Sequence, residues 1–149
     1  MRNTLIAFGA AISFGFATFA ALAPAAAMDA QAQADAQTQV LYSGDWTKKS
    51  HRASGTWSIH TDGEQTYITL SDDFKTRSAP DLKLFLSPRT ASATNGGNAT
   101  AGSVLIAPLA DNRGGQTYLI PAGVDLADYK SVLIHCQQFS KLWSAGSLV

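Results

Sequence analysis

Short runs of alternating apolar and polar residues fill most of the chain after residue 40. The runs are rich in β-branched and aromatic side chains, and clusters of turn-forming residues separate them at intervals of about 8 to 12 residues. Helical periodicity is not sustained over any comparable length. This pattern predicts an all-β protein.

The clearest predicted unit is a hairpin. Residues 56–60 and 66–70 both alternate, and Asp62 and Gly63 between them form a dipeptide that favours tight turns. Further strands are predicted at residues 41–46, 82–86, 104–107, 116–120, 131–136 and 143–148, with one helical turn at 125–129. About eight strands in roughly 110 residues fit an antiparallel β-sandwich of two packed sheets.

One long connection interrupts the strands. Residues 89–102, RTASATNGGNATAG, are small, polar and rich in glycine. Such a composition is typical of a flexible loop on the protein surface.

The first 27 residues have the features of a secretory signal peptide. Arg2 gives a positive start, residues 5–22 are mostly apolar, and residues 25–27 end in the A-x-A pattern of a cleavage site. The alternative is an uncleaved anchor, because an apolar run of about 18 residues reaches the lower limit for crossing a bilayer. The small residues at its end favour cleavage. We therefore expect a periplasmic or secreted protein with a disordered leader at 28–39, a domain at 40–149 and no membrane span after cleavage.

Composition and charge mainly exclude functions. The chain has 11 basic and 11 acidic side chains and a formal net charge of zero, so it lacks the basic excess expected of a nucleic-acid-binding protein. An apolar fraction of 46% speaks against intrinsic disorder. The motifs G-x-G-x-x-G, H-E-x-x-H and G-x-S-x-G and the phosphate-binding P-loop motif are all absent from the sequence.

Cys136 is the only cysteine of a chain that we expect to be exported. It has no internal disulfide partner, so three alternatives remain. It fills a gap in the core as a small hydrophobe, it is a thiolate used for redox chemistry or metal ligation, or it forms a disulfide between two copies. Strand alternation places Cys136 on one face with Val132 and Ile134, and His135 on the opposite face.

His51 lies in a basic segment that includes Lys48, Lys49 and Arg52. It is a candidate imidazole ligand or part of a positive field beside a thiolate, and the alternative is an exposed loop histidine. His60 and His135 have no partner at metal-ligand spacing. Eight aromatic residues offer either a sugar-stacking surface or a core, and we expect most of them in the core. They are Trp46, Trp57, Trp143, Phe74, Phe85, Phe139, Tyr67 and Tyr118.

Several short words occur in a recognisable order: HRASGT at 51–56, DF at 73–74, APDL at 79–82, GQ at 115–116 and YKSVLIHC at 129–136. In this order and spacing they resemble the DM-thirteen domain family, small extracellular modules also called electron-transfer DM domains. The resemblance covers roughly residues 44–148.

The resemblance implies particular site residues. The family's signature cysteine, proposed to act as a redox thiol or to hold a prosthetic group such as haem, falls on Cys136. The histidine of its H-x-x-S-G word falls on His51, and the aspartate of its P-D-L word, as a supporting residue, on Asp81. Two positions depart from the family: His135 stands where tryptophan is frequent, and Ala79 where glycine is frequent.

Two functional hypotheses follow. The first is an exported domain in which Cys136, with His51 as its companion, is a redox thiol or holds haem or copper, and which passes electrons to a redox partner protein. The second is a noncatalytic extracellular ligand-binding or adhesion module in which Cys136 is packed in the core. Whether the domain is an enzyme stays open.

Overall fold

The computed structural model describes residues 38–148. The predicted signal peptide and residues 28–37 of the predicted leader lie outside these residues. The described part contains nine strands and one 3₁₀ turn at Leu126–Asp128. The strands are β1 (Gln39–Asp45), β2 (Thr47–Lys48), β3 (Thr56–Thr61), β4 (Thr66–Leu70), β5 (Leu82–Ser87), β6 (Val104–Pro108), β7 (Gln116–Leu119), β8 (Ser131–Cys136) and β9 (Lys141–Ser147).

The strands form two antiparallel sheets. The first has the order β1-β3-β4-β7 and the second the order β2-β9-β8-β5-β6. The predicted all-β sandwich is confirmed, and each of the eight predicted strands is present. The ninth strand, β2, consists of only two residues, which is too short for alternation to reveal. Within the described residues, no helix is long and apolar enough to cross a membrane.

The main core lies between the two sheets. Alternation along β3 and β4 directs Trp57, Ile59, Ile68 and Leu70 inward, and all four are buried. From the second sheet, β8 contributes Val132, Ile134 and Cys136 to the same cluster. Burial of a large aliphatic side chain stabilises the fold by about 1.5 to 3 kcal/mol, so this layer needs no disulfide.

A second apolar cluster covers the outer face of the second sheet. Leu133, Phe85 and Leu142 point away from the main core and pack with Ala91 and Ala99 from the long connection. All six residues of β8 are therefore buried. The prediction of a surface loop at residues 89–102 is confirmed in part: seven of its 14 residues are exposed, but Ala91, Thr94 and Ala99 are buried.

The long connection lies close to the sheet because its side chains are small. A Cβ atom added at Gly96 would overlap the backbone of Ser140. Asn95 and Asn98 hold the chain in successive turns: Oδ1 of Asn98 accepts from the Asn95 N–H at 2.8 Å, and Oδ1 of Asn95 accepts from Gly97 at 2.9 Å. The polar residues of this connection thus stabilise its turns, and the turns cover the apolar residues of the outer cluster.

Candidate functional site

Cys136 is the last residue of β8 and lies at one end of the sandwich. Its backbone is opposite Leu82 of β5 and Lys141 of β9. Its side chain is fully buried in the main core, on the same face as Val132 and Ile134 as the alternation predicted. No hydrogen bond to the Cys136 sulfur occurs within residues 38–148. A thiolate cannot react with a solute from this position unless the end of the sandwich opens.

The segment Ser78–Pro80 lies at this end of the core. Ala79 packs against the cluster that contains Cys136. The segment lines two pockets, one with Leu82 and the other with Lys141, so the two register partners of Cys136 border the pockets on either side. Across the described residues, the segment makes no hydrogen bond beyond the tight turn at Pro80 and Asp81 that leads into β5. We call Ser78–Pro80 the cover segment.

The ends of the cover segment are anchored. The indole Nε1 of Trp143 donates to the carbonyl of Arg77 at 3.1 Å, immediately before the segment. Immediately after it, the carbonyl of Asp81 accepts from the backbone N–H of Gln137 at 3.0 Å. The cover segment is thus a short stretch between two fixed points, and it is held at its centre by the packing of Ala79.

His51 is placed by a bulge in β9. The register of β8 against β9 shifts so that Trp143 is an additional residue between Leu142 and Ser144. The carbonyl of Trp143 accepts from the backbone N–H groups of Lys49 and His51, at 3.2 and 3.1 Å. The His51 ring then stacks on the Trp143 indole, with ring centroids 3.7 Å apart and planes 22° from parallel.

The surroundings of His51 favour its neutral form. Desolvation lowers the pKa of His51 below its ordinary value, and the positive charges of Arg77, Lys141 and Lys48 lower the pKa further. Its Nδ1 atom is 3.3 Å from the Ser50 hydroxyl. A neutral imidazole next to cations can accept a hydrogen bond or serve as a flat apolar surface.

His51 and Cys136 are not joined directly. Over residues 38–148 no hydrogen bond or ring contact connects them, and Cys136 lines neither pocket beside the cover segment. Trp143 is the residue that they share: its indole stacks with His51, and it belongs to the buried cluster that includes Cys136. The indole therefore extends from a surface pocket into the core.

Asp81, the predicted supporting residue, precedes β5. Its carboxylate pairs with Lys83 at 3.2 Å and is about one-third exposed. Its backbone carbonyl anchors Gln137, the residue after Cys136. Asp81 therefore holds the backbone at Gln137, directly after the cysteine, and does not contact the sulfur.

His135 lies on the outer face, away from Cys136. It is 2% exposed, its Nε2 is 3.3 Å from the carbonyl oxygen of Gly96, and its ring packs edge-on against Phe85. Its Nδ1 is buried without a partner. Desolvation lowers the pKa of His135, although the Gly96 hydrogen bond and the charge of Asp81 oppose this effect. The histidine that replaces the family's frequent tryptophan is therefore separate from the cysteine site.

The described residues do not fit haem or copper at Cys136. No group of three or more His, Cys, Asp and Glu side chains in residues 38–148 is arranged to hold a metal ion. His135 faces the opposite side of the sheet, and His60 stacks on Tyr67 in the first sheet. A copper site of two histidines and a cysteine is thus not formed. The fully buried sulfur also has no open space beside it for a macrocycle.

Gly55 and Gly115 occupy positions where a larger residue would clash. Gly55 has φ +81°, and a Cβ there would meet the Ser71 hydroxyl and the backbone of Phe74. A Cβ added at Gly115 would overlap the Asp72 carboxylate. Both glycines let loops next to β3 and β7 pack closely, so the role of these two positions is packing.

Comparison with known proteins gives one clear result. The family model described as Electron transfer DM13 matches residues 45–146. The chain therefore belongs to the DM13 family, whose description connects it with electron transfer. Searches of curated proteins and of solved structures found no match for this chain.

Sequence reasoning missed several residues of the pocket around His51. Trp143 was expected in the core, but it also forms the surface on which His51 stacks. Phe139 is the one large hydrophobic residue of that pocket that is mainly exposed, at 55%. Arg77 and Lys141 line the same pocket from distant parts of the chain. Phe139, Lys141 and Trp143 are close in sequence, but only the tertiary structure brings His51 and Arg77 to them.

Proposed function

We propose that this protein is an exported electron-transfer module whose redox group is the Cys136 thiol, kept inside the core until the cover segment moves. The family description supports the electron-transfer role. The observation that carries the proposal is the position of Cys136: it is fully buried, yet both of its register partners border surface pockets.

The hydrogen-bond pattern supports a local opening at this site. Within the described residues, movement of Ser78–Pro80 disturbs only the local turn before β5, whereas movement of β8 or β9 breaks a strand ladder. Segments with few buried contacts and few hydrogen bonds open at lower free energy than the core strands. The thiol is then protected most of the time and available briefly.

We propose a hydroperoxide as the oxidant class. Sulfur attacks the terminal peroxide oxygen, the O–O bond breaks and an S–O bond forms. The leaving hydroxide or alkoxide takes up a proton, so sulfur loses two electrons and the peroxide gains them. A peroxide is small enough to pass through a brief opening, and the sequence holds no second cysteine to convert the sulfenic acid into an internal disulfide.

The test combines a thiol reagent with hydrogen peroxide on the native mature protein. We expect slow labelling of Cys136, faster than the rate of global unfolding, and a peroxide-dependent mass gain of one oxygen that a sulfenic-acid reagent captures. The Cys136→Ser variant is the control and should show neither. Labelling that proceeds only at the rate of global unfolding would reject the proposal.

A second candidate is a noncatalytic ligand-binding or adhesion module with a structural cysteine. The observation that favours it is the complete burial of Cys136 among apolar neighbours. It predicts that Cys136→Ala loses stability while ligand binding elsewhere is kept, and that peroxide leaves the native protein unchanged. A disulfide between two copies requires the sulfur at the surface, so the same burial gives a covalent dimer no support.

Export is a separate part of the proposal. It rests on the charge and small-residue pattern of the first 27 residues. Sequencing the N-terminus of the protein purified from its native host tests it: a mature chain beginning at residue 28 is the expected result, and a chain that retains residues 1–27 would contradict it.

A further inference from the structure

We infer that the pocket between His51 and Phe139 binds planar aromatic molecules that carry a negative charge. The pocket has a volume of about 490 Å³, which lies in the range of small-molecule sites. Its lining combines flat apolar surfaces with two cations, and neither the family description nor the proposed thiol chemistry assigns a ligand to it.

The apolar half of the pocket consists of rings and a proline. His51 is held flat against Trp143, so the free face of its ring is fixed in place. Phe139 is 55% exposed on the turn between β8 and β9, and Pro80 completes the apolar lining. Exposed aromatic side chains gain when a flat ligand covers them, because apolar surface is removed from water and the rings stack.

The charged half is formed by Arg77 and Lys141. Both line the pocket, and no Asp or Glu lines it with them. The salt bridge found in the described residues joins Lys83 to Asp81, so neither Arg77 nor Lys141 is neutralised by a carboxylate. A guanidinium and an ammonium at one site favour a carboxylate, sulfonate or phosphate on the ligand.

The positive charge extends beyond this pocket. A neighbouring pocket shares Lys141 with it, another shares Arg77, and no acidic side chain lines either one. Seven of the ten Lys and Arg residues within 38–148 line these three pockets. They are Lys48, Lys49, Arg52, Lys75, Arg77, Arg113 and Lys141. A chain without net charge thus presents one basic face, which raises the local concentration of anions.

The polar groups of the pocket favour an aromatic anion over an acidic sugar. Sugar hydroxyls need hydrogen-bond acceptors as well as donors. Arg77 and Lys141 only donate, and the lining includes no Asp, Glu, Asn or Gln side chain. The side-chain acceptors of the pocket are limited to the Ser78 hydroxyl and the His51 imidazole. An aromatic anion needs only stacking surface and donors to its charged group, which is what this lining offers.

The test measures binding of anthraquinone-2-sulfonate, a planar aromatic anion, by calorimetry and by quenching of tryptophan fluorescence. We expect saturable binding at one site that weakens as salt is added. Phe139→Ala and the double variant Arg77→Gln, Lys141→Gln should each weaken binding about tenfold, which corresponds to about 1.4 kcal/mol.

Matched controls lie away from the pocket. Lys130→Gln removes a cation and Leu105→Ala removes an exposed apolar side chain outside the three pockets, and both should bind as the unchanged protein does. Methanesulfonate and glucuronate, which lack the aromatic ring, should bind much more weakly. Equal binding by all variants, or tighter binding of glucuronate than of the quinone sulfonate, would overturn the inference.

This inference does not require redox chemistry at Cys136. The binding measurements are repeated on Cys136→Ser, where we expect unchanged affinity for the probe. In the unchanged protein, absence of Cys136 oxidation together with intact probe binding argues against the proposed function alone, and intact oxidation without probe binding argues against the pocket alone.

Discussion

The ring of His51 stacks on the indole of Trp143, with centroids 3.7 Å apart and planes 22° from parallel, and the same indole belongs to the buried cluster that contains Cys136. One aromatic residue therefore lines a basic surface pocket and also belongs to the core cluster that holds Cys136. Because its Nε1 also holds the chain before the cover segment, Trp143 connects the three features on which the proposals depend.

The charge beside His51 predicts a titration effect. Arg77 and Lys141 both lower the pKa of His51, after the larger contribution of desolvation. Removing a positive charge makes the protonated imidazole less unfavourable, so Arg77→Gln and Lys141→Gln should each raise the His51 pKa toward its ordinary value. NMR titration of the His51 ring proton measures this. Lys130→Gln should leave the midpoint where it is, and an unchanged midpoint in all three variants would show that the cations do not act on His51.

The hydrogen bond from Trp143 to Arg77 predicts the rate at which Cys136 is uncovered. Trp143→Phe keeps an aromatic ring against His51 but removes the indole N–H that anchors the cover segment. A hydrogen bond of this kind contributes about 1 kcal/mol, so thiol labelling of Cys136 should become roughly fivefold faster. Phe139→Leu, in the same pocket but without such a bond, is the control. If both variants label at the original rate, opening does not involve this anchor.

Much of the fold was predictable because its signal is local. Alternation along β3 and β4 and the Asp62-Gly63 turn identify the hairpin, and the same alternation puts Cys136 and His135 on opposite faces. The connection at 89–102 lies on the surface as predicted, but its packing on the sheet was missed. Its polar residues bond within their own turns, and composition does not reveal this.

The pocket was predictable only in part. His51 was a candidate from its basic surroundings, and its lowered pKa comes partly from Lys48, its neighbour in sequence. Arg77 and Lys141 are far from His51 in the sequence and lie near it only in the folded protein. The net charge of the chain gives no information on how these cations cluster on one face. The bulge at Trp143 in β9 does not alter the alternation of apolar and polar residues. The stacking of His51 on Trp143 could therefore not be predicted from the sequence.

Close packing at Gly146 predicts a large loss of stability on a small change. A Cβ added there would overlap the Trp57 indole, which is itself almost fully buried in the core. Gly146→Ala should lower the free energy of unfolding by about 3 kcal/mol, because the tryptophan or the strand must shift. Denaturant unfolding measures it. Gly97→Ala is the matched control, since its added methyl would meet only the Asn95 side chain at 3.4 Å, and a similar loss in both variants would refute the packing argument.

The buried His135 predicts that stability falls in mild acid. Its pKa is lowered in the folded state, mainly by desolvation, so the unfolded chain binds a proton more readily. The contribution of His135 is complete above the unfolded pKa of about 6.5 and is lost as the pH falls through the lower folded pKa. Unfolding at about pH 7.5 and about pH 5 measures the difference. His135→Phe, which preserves a ring against Phe85, should show a smaller loss between the two pH values than the unchanged protein. An undiminished loss in His135→Phe would assign the acid sensitivity to other groups.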